Sequence, residues 1–169
     1  HLLLGNEAIA RGALEAGINF VTCYPGTPSS EVPDTFRAIL SSGRFAMEYS
    51  ANEKVALEVG AGAALAGAMT MTTMKHVGVN VAADPLMTMT TLGLPGGLVL
   101  LSADDPGCHS SQNEQEHRTD ARFAQMPGFD PSPAQGAQDM PHPALLPPRP
   151  DTRPVTLRRT HRTNRRPSQ

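Results

Sequence analysis

The 169-residue sequence predicts an α/β fold: a mostly parallel sheet flanked by helices on both faces. Short apolar segments alternate with longer helical ones along most of the chain. Parallel neighbours need a long crossover connection, usually a helix, so this alternation is typical of a parallel sheet. The apolar content of 39% and the charged content of 18% suit a globular chain that buries a core.

The predicted elements follow one another without an internal repeat. Capping residues and Gly or Pro breaks predict helices over about 6–16, 29–40, 53–66, 80–92 and 112–125, and the start of another at 134–140. Apolar and β-branched runs predict strands over about 18–23, 45–48, 69–74 and 97–103, with a short extended piece at 129. Asn6 is the predicted cap of the first helix, and Pro85 is predicted to bend the fourth.

Four segments follow the predicted strands and are candidate ligand loops. They cover 24–30, 48–53, 75–80 and 104–111. Ligands of open α/β sheets bind beyond the carboxyl ends of the strands. We therefore expect these four segments to line one edge of the domain.

The predicted helix over 53–66 is rich in Ala and Gly. Each glycine weakens a helix by about 1 kcal/mol relative to Ala, so we expect another surface to approach this helix closely. Glu53 stands in its first turn, at the positive end of the helix dipole. Its carboxylate either serves a ligand at the sheet edge or only balances the dipole, and the local pattern leaves both open.

The other loops contain polar residues with two interpretations each. Gly26 and Thr27 stand between two prolines, where backbone amides and a hydroxyl either bind an anion or form only a turn. Lys75 and His76 either hold an anionic substrate and move protons or stay solvated. His109 follows two adjacent aspartates, but the spacing matches no metal ligand set, so we predict no metal site.

The environment of the chain is predicted from its cysteines and its hydropathy. Cys23 and Cys108 form neither a metal pattern nor a disulfide framework, which favours a reducing, cytoplasmic setting. No signal peptide is visible, and no apolar run reaches the roughly 20 residues of a membrane helix. We therefore expect no membrane partner.

The last 29 residues differ in composition from the rest. Residues 1–140 carry seven basic and 15 acidic side chains, whereas 141–169 carry seven arginines, one aspartate and seven of the 16 prolines. Such a segment buries too little apolar surface to offset its chain entropy, so we predict that 141–169 is disordered. The abrupt change within a starting helix suggests a truncated fragment or a shifted reading frame; a basic tail that binds nucleic acid is the alternative.

Four strings of residues stand in order along the chain and carry a family resemblance. They are YPGTPSSE at 24–31, EYSANEKVA at 48–56, MKHVGVN at 74–80 and SADDPGCHSSQNE at 102–114, after an opening LLGNEAIARG at 3–12. Together they resemble the N-terminal, pyrimidine-binding domain of the large (alpha) subunit of indolepyruvate:ferredoxin oxidoreductase. The first string alone is typical of the wider group of 2-oxoacid:ferredoxin oxidoreductases. Past Met140 the resemblance stops.

The resemblance implies a fold, a cofactor and a reaction. The fold is a thiamine-diphosphate-binding fold of the pyrimidine type over 1–140. The enzyme would be an oxidoreductase that oxidatively decarboxylates arylpyruvates, chiefly indolepyruvate, to aryl-acetyl-CoA. Coenzyme A would accept the acyl group, ferredoxin the electrons, and a beta subunit would complete the enzyme.

The resemblance also implies roles for single residues. Glu53 matches the catalytic carboxylate that meets the aminopyrimidine ring of the cofactor, with Glu48 as the alternative. Thr27 matches a residue at the substrate carboxylate, with Gly26 beside it at the cofactor. His76 and His109 are further substrate-binding candidates. Ligands for magnesium and for iron–sulfur clusters lie in other parts of the family's large subunit, so we expect this chain alone to be inactive.

Two other functions stay open. A pyruvate or 2-oxoglutarate:ferredoxin oxidoreductase would share the first string, while the strings at 74–80 and 102–114 favour indolepyruvate. A non-catalytic α/β binding module, with the basic tail on nucleic acid, belongs to another class, and we do not expect it. A DNA complex that is lost with residues 141–169 would favour that module.

Overall fold

The computed structural model describes residues 4–39, 43, 45–109, 111–131, 134–139 and 154–160. In these ranges the helices are α1 (Gly5–Glu15), α2 (Glu31–Ile39), α3 (Glu53–Leu65), α4 (His76–Val81), α5 (Ala83–Met89), α6 (Arg118–Phe123) and α7 (Ala134–Asp139). The strands are β1 (Phe20–Cys23), β2 (Ala46–Tyr49), β3 (Met69–Lys75), β4 (Gly97–Asp104), β5 (Gly128–Phe129) and β6 (Val155–Thr160).

The six strands form one sheet in the order β2-β1-β3-β4-β6-β5, and every pair is parallel. The chain passes from β1 outward to β2 and then crosses back to β3 on the other side of β1. The direction of the connections therefore reverses between β1 and β3. Such a reversal opens a crevice at the carboxyl ends of the two strands, where α/β proteins bind ligands.

Two apolar cores lie on the opposite faces of this sheet. On one face α1 and α2 pack against the strands, with Phe36 in the same cluster as Val21 of β1. On the other face α3, α4 and α5 pack, with Leu57 in the same cluster as Leu100 of β4. Successive strand side chains point to opposite faces, so the central strands β3 and β4 contribute apolar side chains to both cores. The predicted parallel sheet with helices on both faces is confirmed.

The small residues of α3 serve its contact with the sheet. Ala56, Gly60 and Ala64 are buried and recur every four residues along one side of the helix. A Cβ atom at Gly60 would lie 2.4 Å from Oγ1 of Thr72, which itself lies 2.7 Å from Oγ1 of Thr22. The expected close approach to this helix is therefore made at Gly60 by strands β1 and β3.

Two predicted helices differ from the structure. The predicted loop 75–78 and the bent helix 80–92 are replaced by α4, which begins directly after β3, and by α5. Pro85 lies in the first turn of α5, where its missing N–H removes no helical hydrogen bond, so it starts a helix instead of bending one. Of the predicted helix 112–125, only Arg118–Phe123 is helical.

The predicted cap of the first helix is also wrong. Asn6 is not a cap, because it lies inside α1 and is fully buried.

The prediction of disorder over 141–169 is wrong for Val155–Thr160. These residues form β6, whose backbone pairs with β4 from Val99↔Val155 to Asp104↔Thr160, and with β5. Every residue of β4 is buried, and without β6 one side of its backbone would lack hydrogen-bond partners. The backbone hydrogen bonds that β6 supplies to β4 therefore outweigh the chain entropy that this Pro- and Arg-rich segment loses on folding. Apart from Pro154, the rest of 141–169 lies outside the described residues.

Candidate functional site

The carboxyl edge of the sheet at β1 and β3 is bordered by the segments that the sequence predicts for it. Gly26 follows β1 and lies against the end of β3, because a Cβ atom at Gly26 would be 2.9 Å from Cδ of Lys75. Glu53 follows β2 and contacts Gly78 of α4. Lys75 Nζ also donates to Oε1 of Gln112, at 3.1 Å, in the segment that follows β4. The expectation that these loops meet at one edge is confirmed for these contacts.

Glu53 is the first residue of α3 and is held there by the local backbone. Asn52 caps the helix, and its Oδ1 accepts a hydrogen bond of 2.9 Å from the backbone N–H of Val55. The Glu53 side chain is half-buried. Among the described residues its carboxylate has no hydrogen bond and no ion pair, although the favourable end of the helix dipole lies beside it. A carboxylate in this position can accept hydrogen bonds from a ligand.

The segment between β1 and α2 is fixed from beneath. The buried amide of Asn6 donates to the carbonyl oxygen of Pro28 at 3.2 Å and to the carboxylate of Glu31. The hydroxyl of Ser29 donates to the carbonyl oxygen of Gly26 at 2.6 Å, so it stabilises the turn before α2. Thr27 is exposed, and its hydroxyl has no partner in the described part of the chain. The loop is therefore held in place by Asn6 and Ser29, and Thr27 presents an unused hydroxyl at its surface.

Helix α4 is fastened to the segment after β4 by two contacts besides the Lys75–Gln112 hydrogen bond. Nε2 of His76 lies 3.1 Å from the carbonyl oxygen of Asn113. The side-chain amides of Asn80 and Gln115 exchange two hydrogen bonds, of 2.8 Å and 2.6 Å. We refer to these three contacts together as the α4 clasp. Two of the three contacts join strings that carry the family resemblance, 74–80 and 102–114, and the third reaches Gln115 just beyond the second string.

The two candidate histidines differ in exposure. His76 is fully buried, and its second ring nitrogen, Nδ1, lies 3.3 Å from the carbonyl oxygen of Ala103. Direct contact between His76 and a substrate would require the segment at Asn113 to move away, so in this structure His76 positions backbone instead. His109 is exposed beyond the end of β4, beside Gly107.

A buried polar cluster at the end of β4 was not predicted from the sequence. Nδ1 of His117 lies 2.8 Å from Oδ1 of Asp104 and 2.8 Å from Oγ of Ser102. The backbone N–H of His117 also donates to Oδ2 of Asp104, at 3.2 Å. Oδ2 of Asp120 lies 3.3 Å from Nε2 of His117 but out of line with its hydrogen, so no hydrogen bond forms there.

This cluster does not have the arrangement of a nucleophilic triad, because Ser102 and Asp104 both face the same nitrogen of His117. Ser102, Asp104 and His117 are all buried, and their contacts give the Asp104 carboxylate and Nδ1 of His117 hydrogen-bond partners inside the fold. No spacing in the sequence signals it, because Asp104 and His117 meet only after the non-helical segment between them turns back to the strand.

The alternative carboxylate, Glu48, lies on the edge strand β2 and is exposed. Its Oε1 accepts a hydrogen bond of 3.2 Å from the hydroxyl of Ser50.

On the neighbouring strand, burial and the nearby charge of Asp34 raise the pKa of the Cys23 thiol to about 12. Cys23 is therefore a neutral thiol at physiological pH, and its Sγ contacts the carbonyl oxygen of Glu48 at 3.6 Å.

Comparison with protein families identifies the class of this domain. Residues 11–140 match the family described as pyruvate flavodoxin/ferredoxin oxidoreductase, thiamine diphosphate-binding. The chain belongs to this family. The matched range contains the site around Glu53 and ends before β6.

The curated relatives narrow the resemblance further. The indolepyruvate oxidoreductase subunit IorA of Archaeoglobus fulgidus is 59% identical over 141 residues, which cover 81% of this chain and 23% of the relative. The IorA subunit of Pyrococcus abyssi is 55% identical over 139 residues, which cover 82% of this chain and 22% of the relative. The chain thus spans less than a quarter of the length of these relatives.

One solved structure shares the fold. A 2-oxoglutarate:ferredoxin oxidoreductase from Magnetococcus marinus, solved with 2-oxoglutarate, coenzyme A and succinyl-CoA, superposes with a TM-score of 0.81 at 20% identity. The match covers 96% of this chain and 29% of that chain.

In the described ranges, no helix has the length and apolar character needed to cross a membrane. The same ranges contain no group of three or more His, Cys, Asp or Glu side chains that could hold a metal ion.

Proposed function

We propose that residues 1–140 form the pyrimidine-binding half of a thiamine diphosphate site in an indolepyruvate-type 2-oxoacid:ferredoxin oxidoreductase. One observation carries the proposal: the Glu53 carboxylate stands without a partner among the described residues, at the carboxyl edge of the sheet where the connections reverse between β1 and β3. A carboxylate at the start of a helix that has no internal partner keeps its acceptor oxygens available for a ligand. The family match over 11–140 supplies the class of that ligand.

The residues at this edge fit the aminopyrimidine half of the cofactor. An aminopyrimidine offers hydrogen-bond donors and a flat apolar ring, and Glu53 offers a free acceptor beside apolar helix surface. When bound, thiamine diphosphate supplies the carbon nucleophile and the electron sink for decarboxylation. Glu53 would hold a proton on the pyrimidine ring nitrogen by accepting its hydrogen bond.

The neighbouring loops complete this half of the site. Gly26 leaves room for the stem of Lys75, so the loop and the end of β3 stay in contact. The exposed hydroxyl of Thr27 would donate to the carboxylate of the substrate. His109 would approach the substrate from the loop after β4, while His76 acts by holding the segment at Asn113.

The remaining parts of the enzyme follow from the same proposal. Magnesium and the iron–sulfur clusters would be bound outside this chain, and a beta subunit would complete the site. Arylpyruvate and coenzyme A would be the substrates, ferredoxin the electron acceptor, and the cytoplasm the location. We propose no nucleic acid partner.

Titration of the isotope-labelled chain with thiamine tests the pyrimidine site. Thiamine contains the aminopyrimidine ring but not the diphosphate, so it reports on this half alone. NMR signals of Glu53, Gly26 and Gly78 should shift, and Glu53→Gln should weaken binding about tenfold, because a hydrogen bond to a charged group is lost. Glu58→Gln on the exposed side of α3 is the matched control and should bind as the wild type does. Equal binding by the wild type and Glu53→Gln would reject the site.

A chimaera tests the substrate. Residues 11–140 would replace the corresponding part of the Archaeoglobus fulgidus subunit, expressed with its partner subunit. We expect turnover of indolepyruvate with coenzyme A and a redox dye, and loss of that turnover in Glu53→Gln. Preferential turnover of 2-oxoglutarate or pyruvate would instead favour the alternative branch of the family.

A further inference from the structure

Gly78 lies where the side chain of Glu53 passes. An ideal Cβ atom at Gly78 would be 2.6 Å from Cγ, 2.6 Å from Oε1 and 2.9 Å from Cδ of Glu53. Real Cβ atoms essentially never approach other heavy atoms within 3.0 Å. Any side chain at position 78 must therefore displace the carboxylate of Glu53.

The backbone of position 78 gives no other reason for glycine. Gly78 lies within α4, and it is not among the glycines with positive φ. Glycine inside a helix is less favourable than alanine, because it loses more conformational freedom on folding. The missing side chain at position 78 thus has a cost in α4, and the space that it leaves is filled by Glu53.

Helix α4 is also prevented from moving away from Glu53. The α4 clasp fastens its two ends to the segment after β4, through Lys75 and His76 at one end and Asn80 at the other. His76 is fully buried, and its contact with the Asn113 carbonyl oxygen is partly buried, whereas the other two contacts of the clasp are exposed. A new methyl group at position 78 would therefore push the flexible Glu53 side chain and leave the helix in place.

We propose that Gly78 is a positioning residue for Glu53: it leaves the space that holds the Glu53 carboxylate at the ligand crevice, and the α4 clasp keeps that space fixed. The importance of the Glu53 position for cofactor binding rests on the proposed function. The contact between Gly78 and Glu53 can be tested without the cofactor. The string at 74–80 then serves the carboxylate of the neighbouring helix, in addition to any substrate contact.

The direct test compares Gly78→Ala with Gly62→Ala. Gly62 lies in α3 nine residues after Glu53 and has open space around it, so a methyl group there meets nothing. In chains labelled with carboxyl-13C glutamate, the Glu53 signal should shift and its side-chain rotamer should change in Gly78→Ala only. Thiamine binding should weaken about tenfold in Gly78→Ala and stay unchanged in Gly62→Ala. An unchanged Glu53 signal in Gly78→Ala would overturn the proposal.

A double variant covers the case in which Gly78→Ala does not fold. All three of the nearest atoms at position 78 belong to Glu53, so the combined variant Glu53→Ala, Gly78→Ala should fold and unfold cooperatively like Glu53→Ala. If the double variant also fails to fold, the conflict does not involve Glu53 and the proposal is rejected. If the Glu53 signal shifts as expected but thiamine binds to no variant, including the wild type, Gly78 positions Glu53 and the proposed function is what fails.

Discussion

Two carboxylates stand at the carboxyl edge of the same sheet in opposite surroundings. Asp104, at the end of β4, is fully buried and bonds to both the ring and the backbone of His117. Glu53, after β2, is half-buried and has neither a hydrogen bond nor an ion pair with any described residue. The half of the edge at β4 and β6 thus satisfies the Asp104 carboxylate internally, and we call it the closed half. The half at β1 and β3 leaves the Glu53 carboxylate without a described partner, and we call it the open half.

The difference separates a structural carboxylate from a candidate functional one without reference to any relative. Asp104 ends the most apolar strand, next to a second aspartate and close to His109, in a candidate ligand loop for which the sequence predicts no metal site. Glu53 looks like an ordinary first-turn residue of a helix. The structure separates the two carboxylates by their partners: Asp104 bonds to His117, whereas Glu53 has no partner among the described residues. Neither position in the sequence reveals these partners.

Removal of β6 should produce the largest effect, since it opens the closed half of the edge. A chain ending at 153 loses the partner of β4 and the burial of Val155 and Thr156. We expect a loss of at least about 5 kcal/mol, comparable to the whole stability of a small domain, and no cooperative thermal transition by circular dichroism. A chain ending at Thr160 keeps β6 and should melt as the full chain does. A cooperative transition in the shorter chain would mean that β6 is not part of the folded core.

Asp104→Asn should have the next largest effect. It removes one partner of a buried pair, which leaves His117 without its carboxylate, and such changes cost about 3 kcal/mol. The control is Asp130→Asn, which breaks the exposed contact of Arg118 with Asp130 at 3.0 Å and should cost less than about 1 kcal/mol. Urea unfolding of both variants measures the two losses. Similar losses in the two variants would show that the buried cluster is no more stabilising than a surface pair.

The buried thiol of Cys23, in β1, should make the free energy of unfolding depend on pH. Its pKa is raised from 9.0 to about 12 by burial and by Asp34, so the folded chain holds the thiol proton more tightly than the unfolded chain. The resulting stability is complete below pH 9 and is lost as the pH rises toward about 12, by up to about 1.4 kcal/mol per pH unit. Urea unfolding from pH 8 to 11 should show a shrinking stability difference between the wild type and Cys23→Ala. A constant difference over that range would contradict the raised pKa.

The fold was predictable because its signals are local. The strands are short apolar runs bounded by Gly, Asn or Pro, and the alternation with helices identifies a parallel sheet. The start of α3 at Glu53 was predicted because Asn52 is a good cap. The carboxyl edge followed from topology alone, which places the ends of parallel strands together.

What the sequence did not reveal depends on contacts between distant segments. The α4 clasp joins residues 35 to 37 positions apart, and it explains why 111–116 is not helical: its polar groups bond to α4. The strand β6 lies in a segment whose composition predicts disorder. It forms because its backbone pairs with β4, which the local sequence does not reveal. In both cases the partner, and not the local sequence, determines the structure.

Glu53→Gln should have the smallest effect on the free energy of unfolding and the largest effect on thiamine binding. Glu53→Gln removes a charge from the first turn of α3, where the helix dipole favours it, and should cost less than about 1 kcal/mol. No described partner is left unpaired, in contrast to Asp104→Asn. Urea unfolding measures this loss on the same samples that are titrated with thiamine. A loss as large as that of Asp104→Asn would mean that Glu53 already has an internal partner, and the distinction between the two halves of the edge would fail.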